Sequence, residues 1–183
     1  MEKMIFITGG VRSGKSTFAE KLATQKAIEL EGDLHYLATG VPSDEEMEKR
    51  IERHQQERQV SHLNWTTWEQ STKIETIASS FSKKDVVLLD CVTTLLNNEL
   101  FSQKEWDTEI LGRLVRGFET IQENCAELIL VSNEVLWEGI SGNELVLQYS
   151  RILGHLHQAL VARSDHAYLV ESGIPILMKG ERQ

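Results

Sequence analysis

Residues Gly9 to Ser16 read GGVRSGKS and follow at once on the apolar run MIFIT, Met4 to Thr8. Gly9, Gly14, Lys15 and Ser16 satisfy the spacing G-x-x-x-x-G-K-[ST], which restricts the fold more than any other feature of the chain. Glycines let consecutive main-chain N–H groups turn inward onto phosphate oxygens, and the helix that follows adds the positive end of its dipole. In that arrangement Lys15 reaches the terminal phosphates and the Ser16 hydroxyl can hold magnesium. The flanks agree with the motif: a buried strand before it and a helix from Lys15 to about Leu30 after it. Gly9, Gly10, Val11, Arg12, Ser13, Gly14, Lys15 and Ser16 are therefore candidate nucleotide-binding residues. Lys15 is in addition a candidate catalytic residue and Ser16 a candidate metal ligand.

Beyond the loop, short apolar runs alternate with longer amphipathic stretches, the pattern of a parallel sheet wrapped by helices. The expected strands run from Met4 to Thr8, Leu34 to Thr39, Asp85 to Asp90, Leu128 to Asn133, Ala167 to Ser172 and Ile174 to Lys179. Their continuous apolar centres suit strands covered on both faces. Ser43 with Glu46, and Thr72 with Glu75, read as capping boxes that open helices. Trp106 to Ile121 carries Ile110, Leu114, Phe118 and Ile121 at helical spacing, and Gly142 to Ala162 reads as a further helix. The pattern predicts an α/β chain with a three-layer P-loop NTPase fold, its mostly parallel central sheet flanked by helices. With 183 residues, only Pro42 and Pro175 as prolines, and no repeat or linker, residues 1–183 are expected to form a single domain.

Charge and cysteine usage remove several functions. The 19 Lys and Arg against 28 Asp and Glu give a net charge of −9, an unfavourable field for a duplex, so nucleic acid is not an expected partner. Cys91 and Cys125 stand far apart without CxxC or metal-ligand spacing, which argues against a disulfide framework or structural zinc. The first apolar run is too short for a signal-peptide core, and no apolar segment of about 18 residues follows, so cytoplasmic residence without membrane insertion is expected.

A magnesium-dependent phosphate loop works with a carboxylate across the site. The run VVLLD brings Asp90 to the carboxyl end of an apolar strand, where that carboxylate belongs, and Glu134 follows the next such run in the same way. Mg2+ is thus the expected cofactor, with Ser16 and Asp90 as its ligands and a nucleoside triphosphate as substrate. A nucleophile is a separate question. On a helix begun at Ser43, residues Met47, Ile51, His54 and Arg58 share one face, with Arg50 one turn before His54. A neutral imidazole can attack phosphorus to give a phosphoramidate that is passed on, and arginines contact phosphate oxygens bidentately. The residues alone leave two readings open: a nucleophile, or a histidine on a charged helix whose Arg58 pairs with a glutamate.

The segments TGGVRSGKS, YLATG, DEEMEKRIERH, Arg58, WTTWE, LLDCVTTLLNN and LVSNEV run in this order from Thr8 to Val135. Together they resemble the bifunctional adenosylcobinamide kinase/adenosylcobinamide-phosphate guanylyltransferase family of cobalamin biosynthesis. The resemblance implies that ATP or GTP phosphorylates the aminopropanol hydroxyl of adenosylcobinamide. It implies that His54, which matches the family's guanylylated histidine, then takes GMP from GTP and passes it to adenosylcobinamide phosphate, giving adenosylcobinamide-GDP. It further implies nucleotide contacts from Ala38, Thr39, Gly40, Gln55, Gln56, Glu57, Arg58, Glu69 and Asp90, a corrinoid acceptor, and a homotrimer. Toward the C-terminus the chain departs from the family. Leu136 stands for a glycine, Ser141 and Gly142 for Val-Pro, Ser150 and Arg151 for Arg-Asp, and His157 for an asparagine. Two other functions stay open on sequence grounds: a P-loop kinase only, acting on cobinamide or another hydroxyl acceptor, and a nucleotide-dependent switch that signals through a partner.

Overall fold

The computed structural model describes residues 3–40, 65–101, 109–134 and 144–181. Among them the chain forms β1 (Met4–Gly9), α1 (Lys15–Leu30), β2 (Leu34–Ala38), β3 (Trp65–Glu69), a 3-10 segment (Ile74–Ser80) and β4 (Val86–Asp90). There follow α2 (Val92–Phe101), α3 (Ile110–Gln122), β5 (Glu127–Asn133), α4 (Glu144–Arg163), β6 (His166–Glu171) and β7 (Ile174–Lys179). The strands lie in one seven-stranded sheet in the order β3-β2-β4-β5-β1-β6-β7. Every neighbouring pair is parallel except β6 and β7, which a two-residue turn at Ser172 and Gly173 makes antiparallel.

Alternation along each strand divides the core into two layers. Ile5, Ile7, Tyr36, Val86, Leu88, Ile129 and Val131 face α1, whose Ala19, Ala23 and Ala27 recur every four residues and let the helix lie close on the sheet. Phe6, Leu37, Val87, Leu89, Leu128 and Leu130 point the other way, against apolar residues of α2, α3 and α4. The residues expected at helical spacing on α3 do face the sheet: Ile110, Leu114, Phe118 and Ile121 are each no more than 3% exposed. Burying a side chain of that size contributes roughly 1.5–3 kcal/mol relative to leaving it in water.

Two local expectations are corrected, and one strand appears that was not expected. Thr72 and Glu75 form no capping box: Lys73, at φ 51, heads a 3-10 segment with no side-chain cap. The Lys73 N–H instead donates to the buried Glu99 carboxylate at 2.6 Å, which holds the segment against α2. Strand β7 is not covered on both faces, because it is a sheet edge with Ile174 and Met178 about two-thirds exposed, at 64% and 65%. At the other edge WTTWE forms β3, too short and too polar to announce itself as a strand. The helix expected to open at Ser43 lies outside the described residues.

Candidate nucleotide site

The phosphate loop joins β1 to α1 and is tied down from three sides. The Ser13 N–H and the Lys15 ammonium donate to the Gly10 carbonyl at 3.2 and 3.1 Å. The Glu134 N–H, just past β5, donates to the Gly9 carbonyl at 3.0 Å, and the Gly173 N–H at the β6–β7 turn donates to the Ser13 carbonyl at 2.8 Å. The Gly9, Gly10 and Ser13 carbonyls are thereby engaged, while the start of α1 offers N–H groups that have no acceptor within the helix. Gly14 heads α1 at φ 88, and a Cβ there would stand 3.2 Å from the Gly173 Cα. Both facts favour glycine at this position. Lys15 is only 3% exposed, Ser16 is half-buried, and Gly10, Val11 and Arg12 form the exposed rim.

The other expected residues line up by register. Ala38 pairs with Glu69 on one side and with Asp90 on the other, so the three stand abreast at the carboxyl ends of β3, β2 and β4. Asp90 in turn pairs with Val131 of β5, and Val131 with Ile7 of β1. Asp90 shares its side of β4 with Leu88, and Glu69 its side of β3 with Trp65, both in the layer that faces α1. Lys15 and Ser16 open α1 on this same face. With neighbouring strands about 4.8 Å apart, Asp90 lies roughly 10 Å from the loop's strand and Glu69 roughly 19 Å from it. This is an open carboxyl edge on one face of the sheet, where ligands of parallel sheets bind. The Asp90 carboxylate accepts from the Tyr36 hydroxyl at 3.3 Å.

Sequence reasoning did not single out the side chains that brace this edge. The Cys91 thiol meets the Thr94 hydroxyl at 3.0 Å, and burial, then the charge of Asp90, pushes its pKa up. The Asn133 amide group donates toward the Cys91 sulfur at 3.6 Å, and the Asn133 N–H donates to the Thr93 hydroxyl at 2.9 Å. Thr93 meets the Ser132 hydroxyl at 2.9 Å, and Ser132 meets His157 Nε2 at 2.8 Å. Burial lowers the pKa of His157 to about 4, so this residue is a neutral polar link between α4 and β5. Asn98 bonds to the Thr39 and Ser71 carbonyls. A detectable signal was present: Cys91, Thr94 and Asn98 are spaced three and four apart, from the residue before α2 into its second half.

His54, Gln55, Gln56, Glu57 and Arg58, with Arg50, lie outside the described residues. Among the described residues no three His, Cys, Asp or Glu side chains gather in a way that could hold a metal, and no helix is long and apolar enough to cross a membrane.

The family described as cobinamide kinase / cobinamide phosphate guanyltransferase matches residues 5–178 of the chain. The bifunctional adenosylcobalamin biosynthesis protein CobU of Escherichia coli (strain K12) is 34% identical over 188 residues, 96% of this chain and 99% of that protein. CobU of Salmonella typhimurium is 33% identical over the same shares. The bifunctional adenosylcobalamin biosynthesis protein CobP of Pseudomonas aeruginosa is 32% identical over 176 residues, 96% of each chain. Two solved structures share the fold: the ATPase domain of G40P, with a TM-score of 0.54 at 15% identity over 92% of this chain and 70% of that one, and the flagellar accessory protein FlaH from Methanocaldococcus jannaschii. For the latter the TM-score is 0.52 at 13% identity, over 100% of this chain and 83% of that one. The expected P-loop NTPase architecture is thus the one found, on the evidence of sheet order and fold likeness together.

Proposed function

The chain belongs to the cobinamide kinase / cobinamide phosphate guanyltransferase family, and on that footing we propose that it performs both reactions along one edge of its sheet. In the first, the aminopropanol hydroxyl of adenosylcobinamide attacks the γ-phosphorus of ATP or GTP. The bond from that phosphorus to the β–γ bridging oxygen breaks, the nucleoside diphosphate leaves, and the hydroxyl proton is released. Lys15 and the main-chain amides from Gly9 to Ser16 hold the charge that spreads over the phosphate oxygens. In the second, a nitrogen of His54 attacks the α-phosphorus of GTP and pyrophosphate leaves. An oxygen of adenosylcobinamide phosphate then attacks the same phosphorus, the P–N bond breaks, and the imidazole returns to its neutral form. The product is adenosylcobinamide-GDP.

Ser16 and Asp90 offer a hydroxyl and a carboxylate, hard oxygen donors of the kind magnesium takes one or two at a time beside phosphate oxygens. When bound there, Mg2+ supplies charge neutralisation on the phosphates. Ala38, Gly40 and Glu69 serve the nucleoside end, while Thr39, expected there too, is fully buried and only ties β2 to β4; Gln55, Gln56, Glu57 and Arg58 accompany His54. The whole chain acts as one kinase and guanylyltransferase domain, as a homotrimer in the cytoplasm. The observation that carries this reading is the alignment of Lys15, Asp90 and Glu69 on one edge and one face of the sheet, in a chain whose family is described by both activities and whose relatives are named bifunctional.

The deciding experiment uses GTP labelled on the α-phosphate. With magnesium, the wild-type protein is expected to retain label after denaturation, in an acid-labile and alkali-stable linkage, and His54→Asn to retain none. Label kept by His54→Asn would remove His54 as nucleophile. An unlabelled wild type that still phosphorylates cobinamide would leave a kinase alone.

A further inference from the structure

Thr39 follows β2 and belongs to the stretch assigned to the nucleoside, yet it presents no surface at all: its exposure is 0%. Each of its polar groups is committed inside the protein. The N–H donates to the Asp90 carbonyl at 3.3 Å. The hydroxyl accepts from the Cys91 N–H and donates to the Cys91 carbonyl, both at 2.8 Å. The carbonyl accepts from Asn98 Nδ2 at 2.8 Å. Thr39 therefore bolts the end of β2 to the end of β4 and has nothing left with which to touch a ligand. Its side chain shares the parity of Leu37 and points toward α2, away from the face that carries Ala38, Glu69 and Asp90.

Asn98 stands at the centre of this joint. Its amide nitrogen carries two protons, and these go to two carbonyls, those of Thr39 at 2.8 Å and Ser71 at 3.1 Å. Both partners only accept, so the orientation of the carboxamide is fixed by its surroundings. One carboxamide on α2 thus spans from the end of β2 to the loop after β3. A second tie runs parallel to it, from the Gln70 N–H to the Ala38 carbonyl at 2.9 Å. Gly40 lies one residue beyond one anchor and Glu69 two residues before the other.

We propose that Asn98 is a positioning residue for the nucleoside half of the substrate: by holding the Thr39 and Ser71 carbonyls on one amide group, it sets the gap between Gly40 and Glu69 while leaving the phosphate loop untouched. The proposal rests on the assignment of Gly40 and Glu69 to the nucleoside. Replacement by aspartate keeps the shape but turns a double donor into an acceptor that faces two carbonyl oxygens, so the gap opens. Replacement by serine keeps one donor.

The test separates the two halves of the nucleotide. Inorganic tripolyphosphate with magnesium probes the loop alone, and GTP with magnesium probes loop and nucleoside site together. Asn98→Asp is expected to weaken GTP at least tenfold, in Kd and in the KM for self-guanylylation, while tripolyphosphate binds within twofold of wild type. Asn98→Ser is expected to lie between the two, and it carries the same comparison if Asn98→Asp does not fold. Equal weakening of GTP and tripolyphosphate would reduce Asn98 to a structural residue and overturn the proposal, as would unchanged GTP binding. Glu69→Gln locates any failure. If it weakens GTP and Asn98→Asp does not, the brace is wrong; if neither does, the nucleoside assignment itself falls.

Discussion

At Gly9 a single added carbon would stand 2.4 Å from the Val170 carbonyl oxygen and 2.7 Å from the Ser13 hydroxyl, whereas at Gly10 it would meet nothing within 4 Å. The first neighbour is main chain of β6 and has no room to give. Gly9→Ala should therefore lose about 1–3 kcal/mol of stability through overpacking, and Gly10→Ala should unfold at the wild-type midpoint. Urea denaturation of the two variants side by side checks this; equal midpoints would mean that β6 does not press on the loop. The motif made Gly9, Gly14, Lys15 and Ser16 legible as residue types, but it said nothing about what crowds Gly9, because Val170 is 161 positions away. Asp90 is a similar case. Its place at the end of an apolar run could be read from the letters, while the Tyr36 hydroxyl that steadies it depends on β2 and β4 being neighbours.

Strands β2, β3 and β4 are joined on the face away from α1 by a buried polar cluster, and this is where an element's stability becomes dependent on pH. The Trp68 indole N–H donates to His35 Nδ1 at 3.0 Å. The ring must then carry its proton on Nε2, which meets the Asp85 carboxylate at 3.0 Å. Burial works to raise the Asp85 pKa, but the Ser82 hydroxyl and N–H and the His35 ring more than offset it, so the net shift is downward. A lowered carboxylate pKa contributes stability that is fully present above the unfolded value, about 3.9, and is lost as pH falls through the folded value. Wild-type unfolding free energy should thus drop between pH 5 and 3 more steeply than that of Asp85→Asn, measured by urea titration across that window. Parallel slopes would mean that Asp85 is no better held in the folded chain than in the unfolded one. At this scale the long, strongly apolar elements were legible: β1, β4, β5, α1 and α3 all lie where periodicity and apolar runs put them. Strand β3 was not, since its residues gain their strand state from pairing with β2 rather than from their own burial, and Thr66 and Thr67 remain exposed. The 3-10 segment escaped for a related reason: its start is set by the distant Glu99 and not by the local Thr72 and Glu75 pattern.

Over the whole molecule, the sheet order separates the phosphate loop from Asp90 by one intervening strand, β5, and from Glu69 by three, β5, β4 and β2. A nucleotide laid along that edge touches the ends of several strands that are far apart in sequence, so its binding must report on the folded state as a whole. Any ligand that binds only the folded chain stabilises it by RT ln(1 + [L]/Kd), about 2.7 kcal/mol at one hundred times Kd. For a chain of this length each kcal/mol is worth roughly 2–4 °C, so magnesium and GTP at that excess should raise the unfolding midpoint by roughly 5–11 °C. Two variants and a chelator divide the effect according to the part of the site they remove. Lys15→Ala should lose most of the shift, because the triphosphate is no longer gripped. His54→Asn should keep it, because a nucleophile is needed to react and not to bind. Removing magnesium with a chelator should reduce the shift in wild type and in His54→Asn alike. Scans at one fixed protein concentration, with and without nucleotide, make the comparison, and a full shift in Lys15→Ala would mean that GTP is held somewhere other than the loop between β1 and α1.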